Sequence, residues 1–202
     1  PLVLALSKHP LVEKYDVSSI RLISSGAAPL GQELEQACAN RLGCEIYQGY
    51  GLTEVAGASH INTIPVPTDK VGAVGRVVPN TYSKIIDTES GKELGFNERG
   101  EVLIKGPHVM KGYLNNEEAT NHCIDKDGWF HTGDIGYADE DGYFFIVDRV
   151  KELIKYKAYQ VAPAELEAIL VSHEAIVDAA VIPSPDEEAS EIPKGFVVLN
   201  QD

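Results

Sequence analysis

Two short stretches hold residue types that could do chemistry on a nucleotide. In Gln48-Gly49-Tyr50-Gly51-Leu52-Thr53-Glu54, two glycines let a ligand approach the backbone, a tyrosine offers a stacking face, and a hydroxyl and a carboxylate follow. Glycines at a strand end also make ordinary turns, and Glu54 fits equally a solvated carboxylate at a helix start. In His131-Thr132-Gly133-Asp134 an acid follows a glycine at the start of a strand. There a carboxylate can accept two hydrogen bonds from ribose hydroxyls, or cap a turn. The basic stretch with Arg149, Lys151, Lys155 and Lys157 suits phosphate or ribose oxygens, arginine as a fixed donor fork and lysine as a point charge. An exposed hairpin of alternating charge accounts for the same stretch without a ligand.

Other chemistries lack their residues. No Gly-x-Ser-x-Gly elbow, His-Glu-x-x-His pair, paired-cysteine motif or Walker-type Gly-x-x-x-x-Gly-Lys-Ser/Thr run occurs. Asp127-Gly128 and Asp141-Gly142 lack the acidic spacing and closing glutamate of a calcium loop, and read as turns. His9, His122 and His173 suit the surface, while His60 and His108 stay open. Cys38, Cys44 and Cys123 have no metal-ligand spacing and read as buried free thiols of a reducing, intracellular compartment.

The elements that must position these residues follow from hydrophobic spacing. A strand at 20–24 leads through the small-residue loop 25–29 into a helix with Leu30, Leu34, Ala37, Cys38 and Leu42 on one face, stopped by Gly43. A second strand, 45–48, runs into Gly49-Tyr50-Gly51. Strands are expected at 82–87 and 100–105, a short helix at 115–123, and a hairpin joining 135–137 to 143–147. Composition shifts after Asp148-Arg149, which sets the expected boundary between domains 1–148 and 149–202. Beyond it a helix begins at Pro163, with Glu165 and Glu167 near its start and Leu166, Ile169 and Leu170 on its apolar face. Strands at 175–182 and 196–199 flank an acidic loop, 184–191, and Lys194 stands before the second strand.

The chain has 202 residues, 17 Lys+Arg against 31 Asp+Glu, a net charge of −14, 44% hydrophobic and 24% charged residues. That apolar content excludes disorder as a whole-chain description. The acid excess repels nucleic acid and acidic lipid surfaces. No apolar run approaches the roughly 20 residues of a bilayer span, and the start is too short and wrongly flanked for a signal peptide. Neither end has a natural cap, so a piece of a longer chain is expected.

Six motifs in register carry a family resemblance: Ser25-Gly26-Ala27-Ala28-Pro29-Leu30, Gln48 to Glu54, Gly100-Glu101-Val102, Lys111-Gly112-Tyr113-Leu114, Trp129 to Asp134, and Asp148-Arg149 through Lys155-Tyr156-Lys157 to Gln160 and Glu167. Together they resemble the adenylate-forming enzymes: acyl-CoA synthetases, 4-coumarate:CoA ligases and beetle luciferases. Phe145 to Arg149 and Leu153 to Lys157 look like the ligase and luciferase branch. The resemblance implies a mixed α/β fold, with the C-terminal part of a large adenylating domain that includes a distorted antiparallel β-barrel, and a truncated α+β lid. It implies activation of a carboxylic acid by Mg-ATP and transfer of the acyl group to CoA, with ATP or AMP, Mg2+ and CoA as cofactors. By the same resemblance Gly26, Ala27 and Ala28 border adenine and acyl group, and Gln48, Gly49, Tyr50 and Gly51 line the base. Thr53 would hold the α-phosphate, Glu54 magnesium, and Asp134 and Arg149 the ribose, with help from Lys155. Lys151 matches the hinge, and Lys157, Ala158 and Gln160 match the loop that faces the pantetheine arm.

Relatives usually carry glycine where this chain has Ala158, and the added methyl group narrows the pantetheine tunnel or opposes a positive φ. A luciferase-like oxygenase that makes poor use of CoA is therefore an alternative; a non-catalytic nucleotide-binding module, to which the missing phosphate loop and adenylation lysine would be natural, is another. The Ser/Thr/Gly-rich phosphate loop that ends in Pro-Lys-Gly in relatives, and their Gly-Lys adenylation segment, which Lys194 of Ile192-Pro193-Lys194-Gly195 does not match, have no counterpart in these 202 residues, which alone are expected to show little or no ligase activity. The setting implied is cytoplasmic or peroxisomal. The identity of the acid and the oligomeric state stay unassigned.

Overall fold

A computed structural model describes residues 2–157 and 159–200. The chain opens with α1 (Leu2–Lys8), then β1 (Leu22–Ser25), α2 (Gln32–Leu42) and β2 (Glu45–Leu52). Val3 and Leu6 of α1 pack against a cluster of Cys38, Leu42 and Ile46. Helix α2 stops where Gly43 takes a left-handed φ of 64° and its N–H reaches the Ala39 carbonyl at 2.9 Å. Its buried stripe is Glu35, Cys38 and Leu42. Ala37, expected on that face, is exposed, because the stripe that meets β2 runs through Glu35 at helical spacing instead.

Strand β2 pairs parallel with β1, from Leu22 opposite Glu45 to Ser25 opposite Gln48, and antiparallel with β3 (Gly57–Ile61). Strand β3 in turn pairs with β4 (Arg76–Val77), which completes a four-stranded sheet. The return from β2 to β3 requires a glycine at 51, since a Cβ there would lie 1.7 Å from the Gly57 carbonyl oxygen. A second sheet takes the order β5 (Tyr82–Ile86), β6 (Gly100–Lys105), β7 (Phe130–Ala138), β8 (Phe144–Arg149). Between β6 and β7 lies α3 (Glu117–Cys123), whose N-cap Asn116 accepts the Ala119 N–H at 3.0 Å. Val55, Val74, Ile85, Val102, Ile104, Phe130, Ala138 and Phe144 form the core. Lys70 ties its loop to the β7–β8 turn, 2.8 Å from Asp139 and 2.6 Å from Asp141.

The two sheets do not close into the barrel that the resemblance implied. Among the described residues they meet at an isolated bridge, where the Phe144 N–H donates to Gly75 O at 2.9 Å and the Val74 N–H to Phe144 O at 2.8 Å. Closure needs a continuous ladder, and β4 is two residues long, beside Gly75 with φ 98°.

The chain divides into two compact units between Ile146 and Val147. The second holds β9 (Ile154–Tyr156), β10 (Tyr159–Val161), α4 (Pro163–Ser172), β11 (Ile176–Asp186) and β12 (Ser190–Leu199), in the sheet order β10-β9-β12-β11. Asp148 falls in this unit because its Oδ2 accepts the Ala164 N–H at 2.9 Å, capping α4 just after Pro163. The expected acidic loop 184–191 is mostly strand, as β11 and β12 form one hairpin that pairs from Ile176 opposite Leu199 to Asp186 opposite Ser190. Its prolines explain how. The Val181 N–H turns away from β12 to Glu167 Oε1 at 2.8 Å, and Pro183 and Pro185 share that parity, so they remove no ladder donor on this edge strand. Glu167 thus serves β11 rather than the start of α4. Lys194 lies inside β12, opposite Ile182. Ile169, expected on the apolar face of α4, is 65% exposed.

Candidate functional site

The large unit brings Tyr50 and Asp134 together, although they stand far apart in sequence. Tyr50 is carried on β2, and its hydroxyl donates to Asp134 Oδ2 at 2.6 Å. Asp134, on β7, is buried. The exposed loop of Gly26, Ala27 and Ala28 runs beside β2, and a Cβ on Gly26 would stand 3.4 Å from the Gly49 carbonyl oxygen. Ala27 holds a φ of 71° in that loop.

Behind this surface Gln48 and Glu35 are paired, while the buried His60 Nε2 finds no partner among the described residues. Gln48 is buried, and its Nε2 donates to Glu35 Oε2 at 2.6 Å and to the Leu30 carbonyl at 3.1 Å. The Gly72 N–H donates to the same Glu35 oxygen at 3.0 Å. Burial pushes the Glu35 carboxyl above the usual carboxylate range, and the bonds from Gln48 and Gly72 pull it partly back. His60 is wholly buried against Phe144, with ring centroids 4.3 Å apart, and 5.7 Å from the Tyr50 ring. The Ser59 hydroxyl donates to the Tyr50 carbonyl at 3.2 Å and stands 3.0 Å from His60 Nδ1, which assigns the Nδ1–H tautomer. Burial lowers the imidazole to about 3, so it is neutral. His60 is therefore a core residue supporting Tyr50.

Thr53 is exposed, while Glu54 is half-buried. Tyr113 donates its hydroxyl to Glu54 Oε1 at 2.7 Å, a bond that pushes the phenol up to about 12. The Met110 N–H holds the Glu54 carbonyl at 2.7 Å. No group of three or more His, Cys, Asp or Glu side chains gathers to hold a metal among the described residues. One hard carboxylate oxygen beside an exposed hydroxyl fits Mg2+ that takes its remaining ligands from phosphate and water. The stretch Val55 to Ser59, small and apolar in sequence, folds as a turn and the strand β3, with Val55 and Ser59 buried and Ala56, Gly57 and Ala58 exposed.

In the small unit Arg149, Lys151, Lys155, Lys157 and Gln160 are all exposed. Lys155 and Gln160 stand opposite each other across β9 and β10, and the Lys155 N–H is held by Glu191 Oε2 at 2.7 Å. Lys157 has a φ of 55°, with its N–H on the Ala189 carbonyl at 2.8 Å. Ala158 lies outside the described residues.

Three supports escaped the reading of the sequence. Glu35 was visible as the 35/38/42 stripe of α2, masked by its charge. Glu101 lay inside the Gly100-Glu101-Val102 motif, with no role attached. The pairing of Tyr113 with Glu54 spans a long separation that leaves no local signal.

A family model described as AMP-binding enzyme matches residues 2–114, and one described as AMP-binding enzyme C-terminal domain matches residues 165–202. The chain is 53% identical over 207 residues to a 4-coumarate–CoA ligase from Pinus taeda, covering 100% of this chain and 38% of the relative. It is 55% identical over 194 residues to the luciferin 4-monooxygenase of Photinus pyralis, covering 96% of this chain and 35% of the relative. Among solved structures, an anthranilate CoA ligase in complex with anthranoyl-AMP superposes with a TM-score of 0.87 at 29% identity, covering 98% of this chain and 37% of that one. The chain thus spans a little over a third of the length of each. Among the described residues no helix is long and apolar enough to cross a membrane.

Proposed function

Because the chain belongs to the AMP-binding enzyme family, we propose that it forms part of an ATP-dependent carboxylate:CoA ligase of the 4-coumarate:CoA ligase kind. The observation that carries this reading is the bond from Tyr50 to Asp134 beside the Gly26–Gly49 approach, which gathers a stacking face, an acid, an exposed loop and a half-buried strand end.

In this reading the adenine ring lies on Tyr50 between Gly49 and Gly51 and the Gly26-Ala27-Ala28 loop, with Gln48 anchoring the strand beneath. Asp134 accepts from the ribose hydroxyls, a role for which the resemblance also implies Arg149 with help from Lys155. A substrate carboxylate oxygen attacks the α-phosphorus, the bond to the bridging oxygen breaks, and pyrophosphate leaves with the electron pair. Negative charge grows on the α-phosphoryl oxygens, where the Thr53 hydroxyl donates. Glu54 Oε2 would hold Mg2+, which neutralises phosphate charge when bound. In the second half-reaction the CoA sulfur attacks the acyl carbon and AMP departs. Lys157, Ala158 and Gln160 would border the pantetheine arm, and Lys151 the hinge between domains 1–148 and 149–202. The fitting substrates are hydrophobic carboxylic acids, aryl or fatty. Three free thiols suit a reducing setting, cytoplasmic or peroxisomal.

A second reading, a luciferase-like oxygenase acting on its acyl-adenylate, draws on the 55% identity to the luciferin 4-monooxygenase and on Ala158. Isothermal titration tests the shared premise. The chain is expected to bind AMP, and Asp134→Ala to weaken that binding at least about tenfold, as for a lost bond to a charged group. A chain that ignores AMP would overturn both readings. Acyl-CoA formation by these 202 residues alone is expected to be little or none.

A further inference from the structure

Asp134 is aimed by an irregularity in the sheet. Along β6 and β7 the register passes from Glu101 opposite Ile135 to Leu103 opposite His131. Val102 on β6 therefore faces Thr132, Gly133 and Asp134 on β7, a bulge that lifts these residues from the ladder and re-aims the side chain that follows. Gly133 takes a left-handed φ of 70° at its centre.

Backbone groups released from a ladder must find other partners, and here side chains supply them. The Gly133 N–H donates to Glu101 Oε1 at 3.0 Å. The Thr132 hydroxyl donates to the Val102 carbonyl at 2.7 Å and accepts the Asp134 N–H at 3.0 Å. The second Glu101 oxygen lies 3.1 Å from His131 Nδ1, so both carboxylate oxygens are engaged and the side chain is held in one orientation. Asp134, at the end of this strap, meets Tyr50.

We propose that Glu101 is a positioning residue for nucleotide recognition, its carboxylate holding the Thr132–Asp134 bulge in the shape that aims Asp134 at the ribose hydroxyls. The proposal rests on the reading in which Asp134 binds ribose. It goes further by giving a purpose to the acid of the Gly100-Glu101-Val102 motif.

The test compares AMP with 2′,3′-dideoxy-AMP by isothermal titration, alongside thermal unfolding. Glu101→Ala is expected to weaken AMP about tenfold while leaving the dideoxy nucleotide within about twofold, since the lost contacts are those to the ribose hydroxyls. Glu101→Gln keeps an oxygen for the Gly133 N–H and is expected to retain most of the affinity. In an Asp134→Asn background Glu101→Ala should add no further loss. Where Glu101→Ala does not fold, Thr132→Val loosens the same bulge and should show the same selective loss. Equal weakening of both nucleotides, or none, overturns the positioning role. A normal AMP preference in Asp134→Asn overturns the ribose reading and the proposal with it, and that pattern differs from one in which the Glu101 and Thr132 variants alone are silent.

Discussion

The acid of the large unit and the cations of the small one are held in opposite ways. Asp134 is buried, bonded to Tyr50, and aimed by a bulge whose released N–H groups are met by Glu101 and Thr132. Arg149, Lys151, Lys155 and Lys157 are exposed, and the geometry around Lys155 and Lys157 is fixed through their backbone N–H groups. The cores differ likewise. Around Val102, Ile104 and Phe130 the large unit is closed, while in the small unit Phe196, Val197, Val198 and Leu199 are between 45% and 59% exposed. Apolar patterning marks a strand that can be covered; burial requires a second layer, and although α4 reaches β12 with Leu170 against Gly195, residues 196–199 stay largely open among the described residues.

The largest effect expected from this contrast is on stability. Ile104→Ala empties a wholly buried site and should cost about 3 kcal/mol in denaturant unfolding, a loss typical of deleting a core side chain. A cost near zero would mean that the core of the large unit is loose.

Titration sharpens the contrast next. The His60 imidazole lies at about 3, below its ordinary 6.5, so the unfolded chain takes up the proton first. The stability it contributes is complete above about 6.5 and is lost as pH falls towards 3, by about 1.4 kcal/mol per pH unit. His60→Phe should remove that slope in thermal unfolding. Glu35 runs the other way, because burial raises its carboxyl. Its contribution is complete below the ordinary 4.5 and fades as pH rises through the raised value, so Glu35→Gln should flatten the decline on the alkaline side. Unchanged profiles would contradict the burial of both groups.

Smaller still is Gly133→Ala. A Cβ there meets nothing within 4 Å, so the left-handed φ of 70° alone sets a cost of about 1 kcal/mol. Leu199→Ala, on the exposed face, should stay within about 0.5 kcal/mol.

Much of this architecture was legible where one local signal decides. Gly43 ended α2, strand β6 covers the residues its apolar run marked, and Asp141-Gly142 made the turn into β8. Tyr50 and Asp134 were picked out by residue type and by the glycines beside them. What escaped depends on distant partners. Acidic residues made 184–191 look like a loop, although pairing with β12 draws most of it into strand. Glu35 is buried because Gln48 and Gly72 meet it there, and the bulge at Asp134 exists through the register of β6 against β7. None of those partners is local in sequence.

The most direct measurement is a double-mutant cycle on AMP affinity with Tyr50→Phe and Asp134→Asn. If the two side chains serve one adenosine, their effects should be coupled, the double variant losing less than the sum of the singles by about 1 kcal/mol. Additive losses, or variants that bind AMP as the unaltered chain does, would contradict the account.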